Sequence, residues 1–303
     1  MFYLQQIKEL AREVGFDLCG VAQCTNFEEE KRFLEGWIER GFASSLDYLK
    51  RNIDRRADAA TLVEGAKSVI VCGMAYKNHI SEGYPEGHKA KVASYACTTD
   101  YHLTIKQMLF NLCERLKEHR PELSARCFVD SAPIFEKRYA VEAGLGWIGR
   151  QSLLVTPQFG SFVLLGEIVT SEECDHYDTP LVSVGCGECR RCVEACPNGA
   201  VKERYIDTSR CISCATIERP SEGEKTPLHG WIFGCDECQS VCPYNRKAPL
   251  STNPLFAPKF NPVAMTPEEW LNLSDEEFLV KFGTTPLERA GIERLKENIS
   301  NRE

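Results

Sequence analysis

The first half of the chain alternates between stretches in which apolar residues recur at helical spacing and short runs that are apolar throughout. The helical spacing predicts helices over residues 2–14, 27–41, 46–66, 100–119 and 134–144. The apolar runs predict strands over 17–22 and 68–76, a strand and turn over 125–133, and a hairpin made of 152–157 and 161–170. Strands that alternate with helices indicate an α/β (α+β) fold with a mixed sheet.

The pattern changes twice after residue 170. Residues from about 180 to 250 show little periodicity and many cysteines, which predicts a loop-rich domain organised by those cysteines. Residues 251–303 return to helical spacing and are mostly polar. We therefore predict three parts: an α/β domain over 1–178, a cysteine-rich domain over 179–250 and a helical C-terminal segment over 251–303.

Net charge and the lack of targeting signals narrow the class of protein. The 303 residues carry a formal net charge of −8, which disfavours a generic nucleic-acid binder but leaves room for a local basic groove. No signal peptide or apolar stretch of membrane-spanning length stands out. We expect a cytoplasmic protein in a reducing compartment, without membrane contact and monomeric.

Two cysteine runs of related spacing lie in the loop-rich region. The first, CGECRRCVEACP at 186–197, has the spacing Cys-x2-Cys-x2-Cys-x3-Cys-Pro. With this spacing one loop gives three thiolates to an iron–sulfur cube and the fourth to a neighbouring cube. The second run, CDECQSVCP at 235–243, lacks only the leading cysteine, and Cys211 is placed to supply it. Eight thiolates are what two 4Fe–4S clusters need, so the runs predict one-electron transfer.

The wrapping rule divides these cysteines into two sets of four. The first cysteine set is Cys186, Cys189, Cys192 and Cys242, and the second cysteine set is Cys196, Cys211, Cys235 and Cys238. Zinc also accepts CxxC pairs, but zinc sites rarely use four cysteines in so short a stretch twice. A reducing compartment disfavours the other alternative, structural disulfides. The remaining eight cysteines lack ligand spacing, and we expect most of them to be small buried hydrophobic residues.

Several separate motifs resemble one family. In chain order they are VDSAP, AGLGWIGRQSLLVTPQFGSFVLLGEI, the first cysteine run, RCISCATIE and GWIFGCDECQSVCPYN. Together they resemble the epoxyqueuosine reductases, and the similarity extends over residues 3–300. The resemblance implies a cobalamin-binding N-terminal domain, with the cobalamin resting as cob(II)alamin, followed by a ferredoxin-like domain with two 4Fe–4S clusters. It also implies the reaction: the epoxide of epoxyqueuosine, at the wobble position of a tRNA, is reduced to the alkene of queuosine.

The resemblance implies roles for residues that have no clear role on their own. On sequence alone an aspartate after a strand is more often a turn or a helix cap, yet Asp130 matches the family's proton donor. A carboxylic acid in that role needs a pKa raised by burial, which we expect for Asp130. Cobalamin contacts are implied for Arg56, Asp130, Leu154, Leu165 and Ser213, and pocket positions for Tyr101 and His102. The glycines Gly144, Gly146 and Gly149 are interpreted as close backbone approach beneath the corrin or the clusters.

The chain departs from the family pattern in two places. Cys214 forms an extra CxxC with Cys211, which we keep as the ligand. The chain also resembles short family members without C-terminal helical repeats, so we expect the tRNA grip to come from Arg40, Lys50, Arg51, Lys137, Arg138 and Arg150. The electron donor is expected to be a low-potential partner that the sequence does not identify.

Two other functions fit part of the pattern. A small-molecule corrinoid reductase of the reductive-dehalogenase type would carry the same cysteines but bind no tRNA. A ferredoxin-like carrier would need no large domain ahead of the cysteines.

Overall fold

The computed structural model describes residues 1–219 and 225–301. Residues 220–224 of the predicted cysteine-rich domain and residues 302–303 of the predicted C-terminal segment lie outside the described residues. The helices are α1 (Leu4–Val14), α2 (Glu28–Glu39), α3 (Ile53–Ala57), α4 (Tyr101–His119), α5 (Glu136–Glu142), α6 (Arg191–Glu194), α7 (Ile212–Ile217), α8 (Glu237–Ser240), α9 (Pro243–Lys247), α10 (Pro267–Asn272), α11 (Asp275–Phe282) and α12 (Gly291–Ser300). The strands are β1 (Leu18–Gln23), β2 (Ser68–Ala75), β3 (Lys91–Val92), β4 (Ala125–Phe128), β5 (Trp147–Ile148), β6 (Leu154–Val155), β7 (Val163–Thr170) and β8 (Trp231–Phe233).

A four-stranded sheet in the order β1-β2-β7-β4 forms the centre of the N-terminal part. All three strand pairs in this sheet are antiparallel. The predicted α/β class is confirmed, but the prediction of a mixed sheet is wrong for these four strands. Gln23, the last residue of β1, lies opposite Ser68, the first residue of β2. The connection through α2 and α3 therefore begins and ends at the same edge of the sheet, which makes these two strands antiparallel.

Helices cover both faces of this sheet. On one face α1 and α4 pack against Ile70, Cys72 and Ile168 in a large apolar core. On the other face α5 places Tyr139 and Ala140 against residues of β2 and β7. Burial on both sides explains why β2 is buried along its whole length and reads as a continuous apolar run.

The predicted helix over 46–66 is wrong as a single element. The segment instead contains a 3₁₀ helix at Asp47–Lys50, α3, and a second 3₁₀ helix at Ala59–Thr61. Asn52 has a left-handed backbone with φ of 57°, which interrupts helical geometry. Asp58 is extended, and its carboxylate accepts a hydrogen bond from the Ala60 amide, so it begins a new turn.

The predicted hairpin of 152–157 and 161–170 is also wrong. β6 pairs with β5, whereas β7 pairs with β2 and β4 in the central sheet. Only an isolated bridge between Thr156 and Gly160 spans the intervening turn. The apolar side chains on both faces of β7 favour a central position between two helical layers over pairing with a two-residue strand.

The C-terminal segment is mostly helical, as predicted, and it packs onto earlier parts of the chain. Its apolar residues, among them Trp270, Phe282 and Leu295, share a core with Ile80, Val92 and Phe233. The amide nitrogen of Asn298 donates to the carbonyl oxygens of Thr216 at 3.0 Å and Ile232 at 2.9 Å. The segment therefore holds α7 and β8 in place next to the cysteine-rich loops. Within the part of the chain that the structure describes, no helix combines the length and apolar character needed to cross a bilayer.

Candidate functional site

A cavity of about 450 Å³ lies between the central sheet and the cysteine-rich loops. One wall is the apolar start of β7, Val163 to Leu165, together with Leu154 of β6. The opposite wall comes from α7 and the second cysteine run. Polar groups enter from the start of α4, from the turn after β4, and from the first residues of α5.

Most of the predicted site residues meet at this cavity. Asp130, Leu154, Leu165 and Ser213 all line it. All four members of the second cysteine set line it too, whereas none of the first set does among the described lining residues. Arg56 is absent from that described lining, although its charge lies close enough to Glu136 to influence that carboxyl. One set of cysteines therefore faces the cavity, and the other lies away from it.

The surroundings of the thiols support the two predicted cysteine sets. Burial raises the pKa of Cys192, and the neighbouring Cys186 and Cys242 of the first cysteine set raise it further. Burial likewise raises the pKa of Cys238 well above its ordinary value, with added contributions from Cys211 and Cys196 of the second set. Both thiols therefore have members of their own set as close neighbours, and Cys192 of the first set also raises the pKa of Cys238.

Cys211 and Cys214 point to different surroundings. Cys211 precedes α7, lines the cavity, and receives hydrogen bonds from the Ser213 and Cys214 amides that lower the pKa which burial raises. Cys214 is not among the described lining residues and is buried in an apolar cluster with Leu34 and Trp37, against which Cys211 also packs; burial raises the pKa of Cys214 to about 11. This arrangement supports Cys211 as the ligand and Cys214 as a core residue.

No group of three or more potential ligands among the described residues is close enough together to hold a single metal ion. A cubane cluster separates its four thiolates more widely than a mononuclear zinc ion does, so this finding concerns single-ion sites only. Of the other eight cysteines, five are buried: Cys72, Cys97, Cys113, Cys174 and Cys214. That burial confirms the prediction that most of them are core residues.

Asp130 lies at the rim of the cavity in a left-handed backbone conformation with φ of 56°. Its Oδ2 accepts a hydrogen bond from the Tyr101 hydroxyl at 3.0 Å and lies 3.1 Å from His102 Nε2. Asp100, the N-cap of α4, holds the other ring nitrogen of His102 at 2.7 Å. The start of α4 and the turn after β4 therefore build one polar cluster at the cavity mouth.

The prediction that burial raises the pKa of Asp130 is wrong in this structure. The hydrogen bond with His102 lowers the pKa of Asp130 below its ordinary value and outweighs the opposing effect of burial. Burial would lower the pKa of His102, but its bonds to Asp100 and Asp130 prevail and raise that pKa to about 9. The contact therefore favours a protonated His102 and an ionised Asp130, and Arg289 Nη1 lies 2.8 Å from the same His102 Nε2.

Glu136, which the sequence analysis did not single out, is a second carboxyl on the cavity wall. Burial, and then the charge of Asp130, raises the pKa of Glu136 to about 7. Behind it on β7, Glu167 is fully buried, and neither of its carboxyl oxygens has a hydrogen-bond partner among the described atoms. No local signal marks either residue, because their burial arises from packing of α5 against the sheet.

A buried polar network fixes the second cysteine run against the sheet. Asn245 donates to the Ser161 hydroxyl at 2.9 Å and to the Gln239 carbonyl at 2.7 Å. The Ser161 hydroxyl also donates to the Gln239 side chain at 2.9 Å. Because Gln239 adjoins Cys238, this network ties the second cysteine set to the turn that leads into β7.

The predicted tRNA-binding residues differ in their freedom. Lys137 donates to the Ser152 carbonyl at 2.9 Å, and Arg138 pairs with Glu30 at 2.7 Å. Arg150 pairs with Glu203 and donates to the carbonyl oxygens of Gly187 at 2.8 Å and Cys189 at 2.9 Å. These three side chains are thus engaged within the protein, and Arg150 braces the first cysteine run. Arg40 and Arg51 are exposed, as is Lys50, which forms a surface ion pair with Asp47.

The interpretation of the three glycines needs correction. A Cβ atom at Gly146 would lie 2.1 Å from the Val155 carbonyl oxygen, and one at Gly144, where φ is +70°, would lie 2.9 Å from the Thr179 carbonyl oxygen. The close approach is therefore to the chain's own backbone, and none of the three glycines is among the described residues that line the cavity.

Two sequence models of families match the chain. The model described as Epoxyqueuosine reductase QueG, DUF1730 matches residues 56–131. The model described as 4Fe-4S double cluster binding domain matches residues 185–245, which include all eight predicted ligands. The cysteine-rich part is thus a 4Fe–4S double-cluster binding domain, which confirms the prediction of two clusters.

Relatives match nearly the whole chain. An epoxyqueuosine reductase of Cyclobacterium marinum is 38% identical over 302 residues, or 98% of this chain and 96% of that protein. One of Pseudomonas aeruginosa is 36% identical over 303 residues, or 98% of this chain and 83% of that protein. A structure of the enzyme from Streptococcus thermophilus is 26% identical with a TM-score of 0.82, covering 98% of this chain and 80% of that one.

A crystal structure of an epoxyqueuosine reductase with a tRNA-TYR epoxyqueuosine-modified tRNA stem loop shares the fold. It has a TM-score of 0.86 at 24% identity and covers 98% of this chain and 80% of that one. Identity of 38% over almost the full length of a relative, with a matching family model and matching cysteine spacing, leads to one conclusion. This chain belongs to the epoxyqueuosine reductase family of oxidoreductases.

Proposed function

We propose that this protein reduces epoxyqueuosine to queuosine at the wobble position of a tRNA, with Asp130 delivering a proton to the epoxide oxygen. One observation carries the proposal: a single cavity brings Asp130 together with all four members of the second cysteine set. An electron source and a proton donor therefore open onto the same space, as a reductive deoxygenation requires.

The residues of the cavity fit a cobalamin, which Leu154, Leu165, Ser213 and Arg56 would hold. The apolar residues Leu154 and Leu165 form one wall, and Ser213 adjoins Cys211 on the other. Arg56 has a buried Nε without a hydrogen-bond partner among the described atoms, which fits a polar group of a bound cofactor. When bound, the clusters supply electrons one at a time, and cobalamin supplies the strongly reducing centre that acts on the epoxide.

Proton delivery follows from the cluster at the cavity mouth. The contact with Asp130 favours a protonated His102, whose Nε2 lies 3.1 Å from Asp130 Oδ2. An opening epoxide develops an alkoxide, which is far more basic than a carboxylate and draws a proton as the C–O bond breaks. We infer that Asp130 passes this proton on and that His102 replaces it. Tyr101 keeps Asp130 oriented through its bond to the same Oδ2.

The substrate proposal rests on the relatives and on the exposed cations. The family structure with a tRNA stem loop supports tRNA as the partner, and anticodon-loop bases can leave their stack to enter a pocket. Arg40, Lys50 and Arg51 are the exposed candidates for phosphate contacts, which should weaken with salt. Identity of 38% to an epoxyqueuosine reductase over nearly the full length of both chains favours a tRNA substrate over the small-molecule substrate of a corrinoid reductase.

We propose a cytoplasmic monomer that receives electrons from a low-potential donor and is organised as 1–178, 179–250 and 251–303. The first cysteine set lies away from the cavity and is the proposed entry point for those electrons.

A turnover assay tests the function. Anaerobic protein with both clusters, cobalamin and a low-potential reductant is mixed with tRNA bearing epoxyqueuosine, and the digested nucleosides are analysed by mass spectrometry. We expect cobalamin-dependent loss of one oxygen mass. Asp130→Asn should slow turnover by at least about 100-fold, the usual contribution of a general acid. Asp275→Asn, an exposed aspartate on α11, is the matched control. No conversion by the loaded wild-type protein would refute the proposal.

A further inference from the structure

Glu136 lines the cavity but takes no part in the proton delivery by His102 and Asp130. It is the first residue of α5 and lines the same cavity as Asp130. The neighbouring Lys137 turns its ammonium group toward the Ser152 carbonyl, where it donates at 2.9 Å. Four carboxyls line the cavity: Asp236 and Glu237 belong to the second cysteine run, whereas Asp130 is exposed at the mouth and Glu136 is set into the wall.

Asp130 and Glu136 differ in the proton they hold. Asp130 accepts hydrogen bonds from Tyr101 and His102, which favour its ionised form. Glu136 lies deeper, faces the negative charge of Asp130, and is backed by the fully buried Glu167. Two neighbouring carboxylates repel each other, which disfavours ionisation of both, and burial disfavours any single charge. The wall carboxyl is therefore the one that remains protonated to higher pH, with a pKa of about 7.

The reaction itself needs more than one proton. Removing an epoxide oxygen as water consumes two electrons and two protons and leaves a carbon–carbon double bond. The pair of His102 and Asp130 accounts for one proton per turnover at the first C–O cleavage. A second proton is needed when the remaining C–O bond breaks and the hydroxyl group leaves.

We propose that Glu136 is a second catalytic acid of this enzyme and protonates the oxygen that departs in the second C–O cleavage. This inference rests on the proposed function. In the first step two electrons delivered through the clusters reduce one epoxide carbon as its C–O bond breaks. The oxygen keeps the electron pair of that bond and takes the proton passed on by Asp130, which gives a hydroxyl, and the carbon holds the two added electrons. In the second step the other C–O bond breaks, and the hydroxyl leaves as water with the proton of Glu136. The two electrons, delivered through the clusters, remain in the new double bond.

Replacement of Glu136 provides the kinetic test. Glu136→Gln keeps the size of the side chain and removes its proton, so single-turnover formation of queuosine should fall by at least about 100-fold. Glu136→Asp keeps an acid on a shorter side chain and should recover part of the rate. Glu142→Gln, on the same helix but paired with Arg138 outside the cavity lining, is the control and should react like wild type.

The pH dependence gives a second kinetic signature. An acid donates only while protonated, so the wild-type rate should fall as pH rises through about 7, the pKa of Glu136. The charged groups that face Glu136 are Asp130, Lys137, Arg56 and His102, with the carboxyl of Glu167 behind it. None of these is replaced in Glu136→Gln, so loss of this pH limb in the variant assigns it to Glu136.

A titration independent of turnover completes the test. Difference infrared spectroscopy of the cluster-loaded protein without tRNA should show a protonated-carboxyl band that disappears near pH 7. Glu136→Gln should lack this band, and Glu142→Gln should keep it. Wild-type conversion with equal rates for Glu136→Gln and Glu142→Gln would overturn the inference and leave the proposed function standing. Failure of wild type to convert the tRNA would refute the proposed function, and the inference with it.

Discussion

Glu167→Gln should remove a pH-dependent loss of folding stability that arises in the central sheet. Glu167 lies on β7 opposite Val71 and Phe128, is fully buried, and has no hydrogen-bond partner for either carboxyl oxygen among the described atoms. Burial, followed by the charges of Glu136 and Asp130, raises the pKa of Glu167 well above 4.5. Glutamine has nearly the same shape and cannot ionise, so this change isolates the titration.

The direction in which stability changes with pH follows from the protons that the folded and unfolded states bind. Above pH 4.5 the unfolded chain releases the Glu167 proton while the folded protein keeps it. The stabilising contribution of the protonated form is complete below that pH and is lost as pH rises toward the folded pKa. The loss amounts to about 1.4 kcal/mol per pH unit within this window. With an unfolding entropy of about 2.1 cal/mol/K per residue, 303 residues give a Tm change of roughly 2 °C per pH unit.

Calorimetry of the cluster-loaded protein under anaerobic conditions measures this slope. As pH rises above 4.5, the Tm of wild type should fall relative to Glu167→Gln by roughly 2 °C per pH unit until Glu167 ionises in the folded protein. The glutamine amide can shift the Tm of the variant by the same amount at every pH, because its N–H groups also need partners. The change of the Tm difference with pH is unaffected. Glu64→Gln replaces an exposed glutamate and should show no such slope. A Tm difference between wild type and Glu167→Gln that does not change with pH would refute the reasoning.

Three further predictions concern the ligands, the proton supply and the C-terminal segment. Cys214→Ala should keep eight irons and Cys211→Ala should lose one cluster; iron analysis after reconstitution decides, and loss of iron in Cys214→Ala would reverse the ligand assignment. His102→Gln should slow turnover and abolish the decline in rate that wild type shows as pH rises through about 9, since His102 is protonated only below that pKa; a preserved decline in the kcat profile would exclude His102 as the proton source for Asp130. Asn298→Ala removes the hydrogen bonds to the Ile232 and Thr216 carbonyls, of which Thr216 keeps Arg294 Nε at 3.2 Å as a donor, and should cost about 1–3 kcal/mol in thermal unfolding; an unchanged Tm would show that solvent satisfies the Ile232 carbonyl.

The sequence by itself determined the features that depend on short segments. The spacing of the cysteine runs specified two clusters and predicts two sets among eight thiols, because a loop can wrap a cube only with particular intervals between ligands. The period of α1 and α4 and the continuous apolar run of β2 predicted those elements closely. The backbone preferences and side-chain burial that produce these signals act within a few residues.

Tertiary structure decided the pairing of strands and the protonation of acids. β7 pairs with β2 and β4, and not in the expected hairpin, because its two apolar faces are buried between two helical layers. No local sequence pattern predicts which strands lie beside it. Asp130 was assigned a raised pKa from its place after an apolar strand, but His102, which lies on another element, lowers it. Glu136 and Glu167 are ordinary glutamates in the sequence and unusual acids only after α5 packs onto the sheet. Strand neighbours and pKa values depend on which distant groups come together and exclude water, and only the folded chain establishes those contacts.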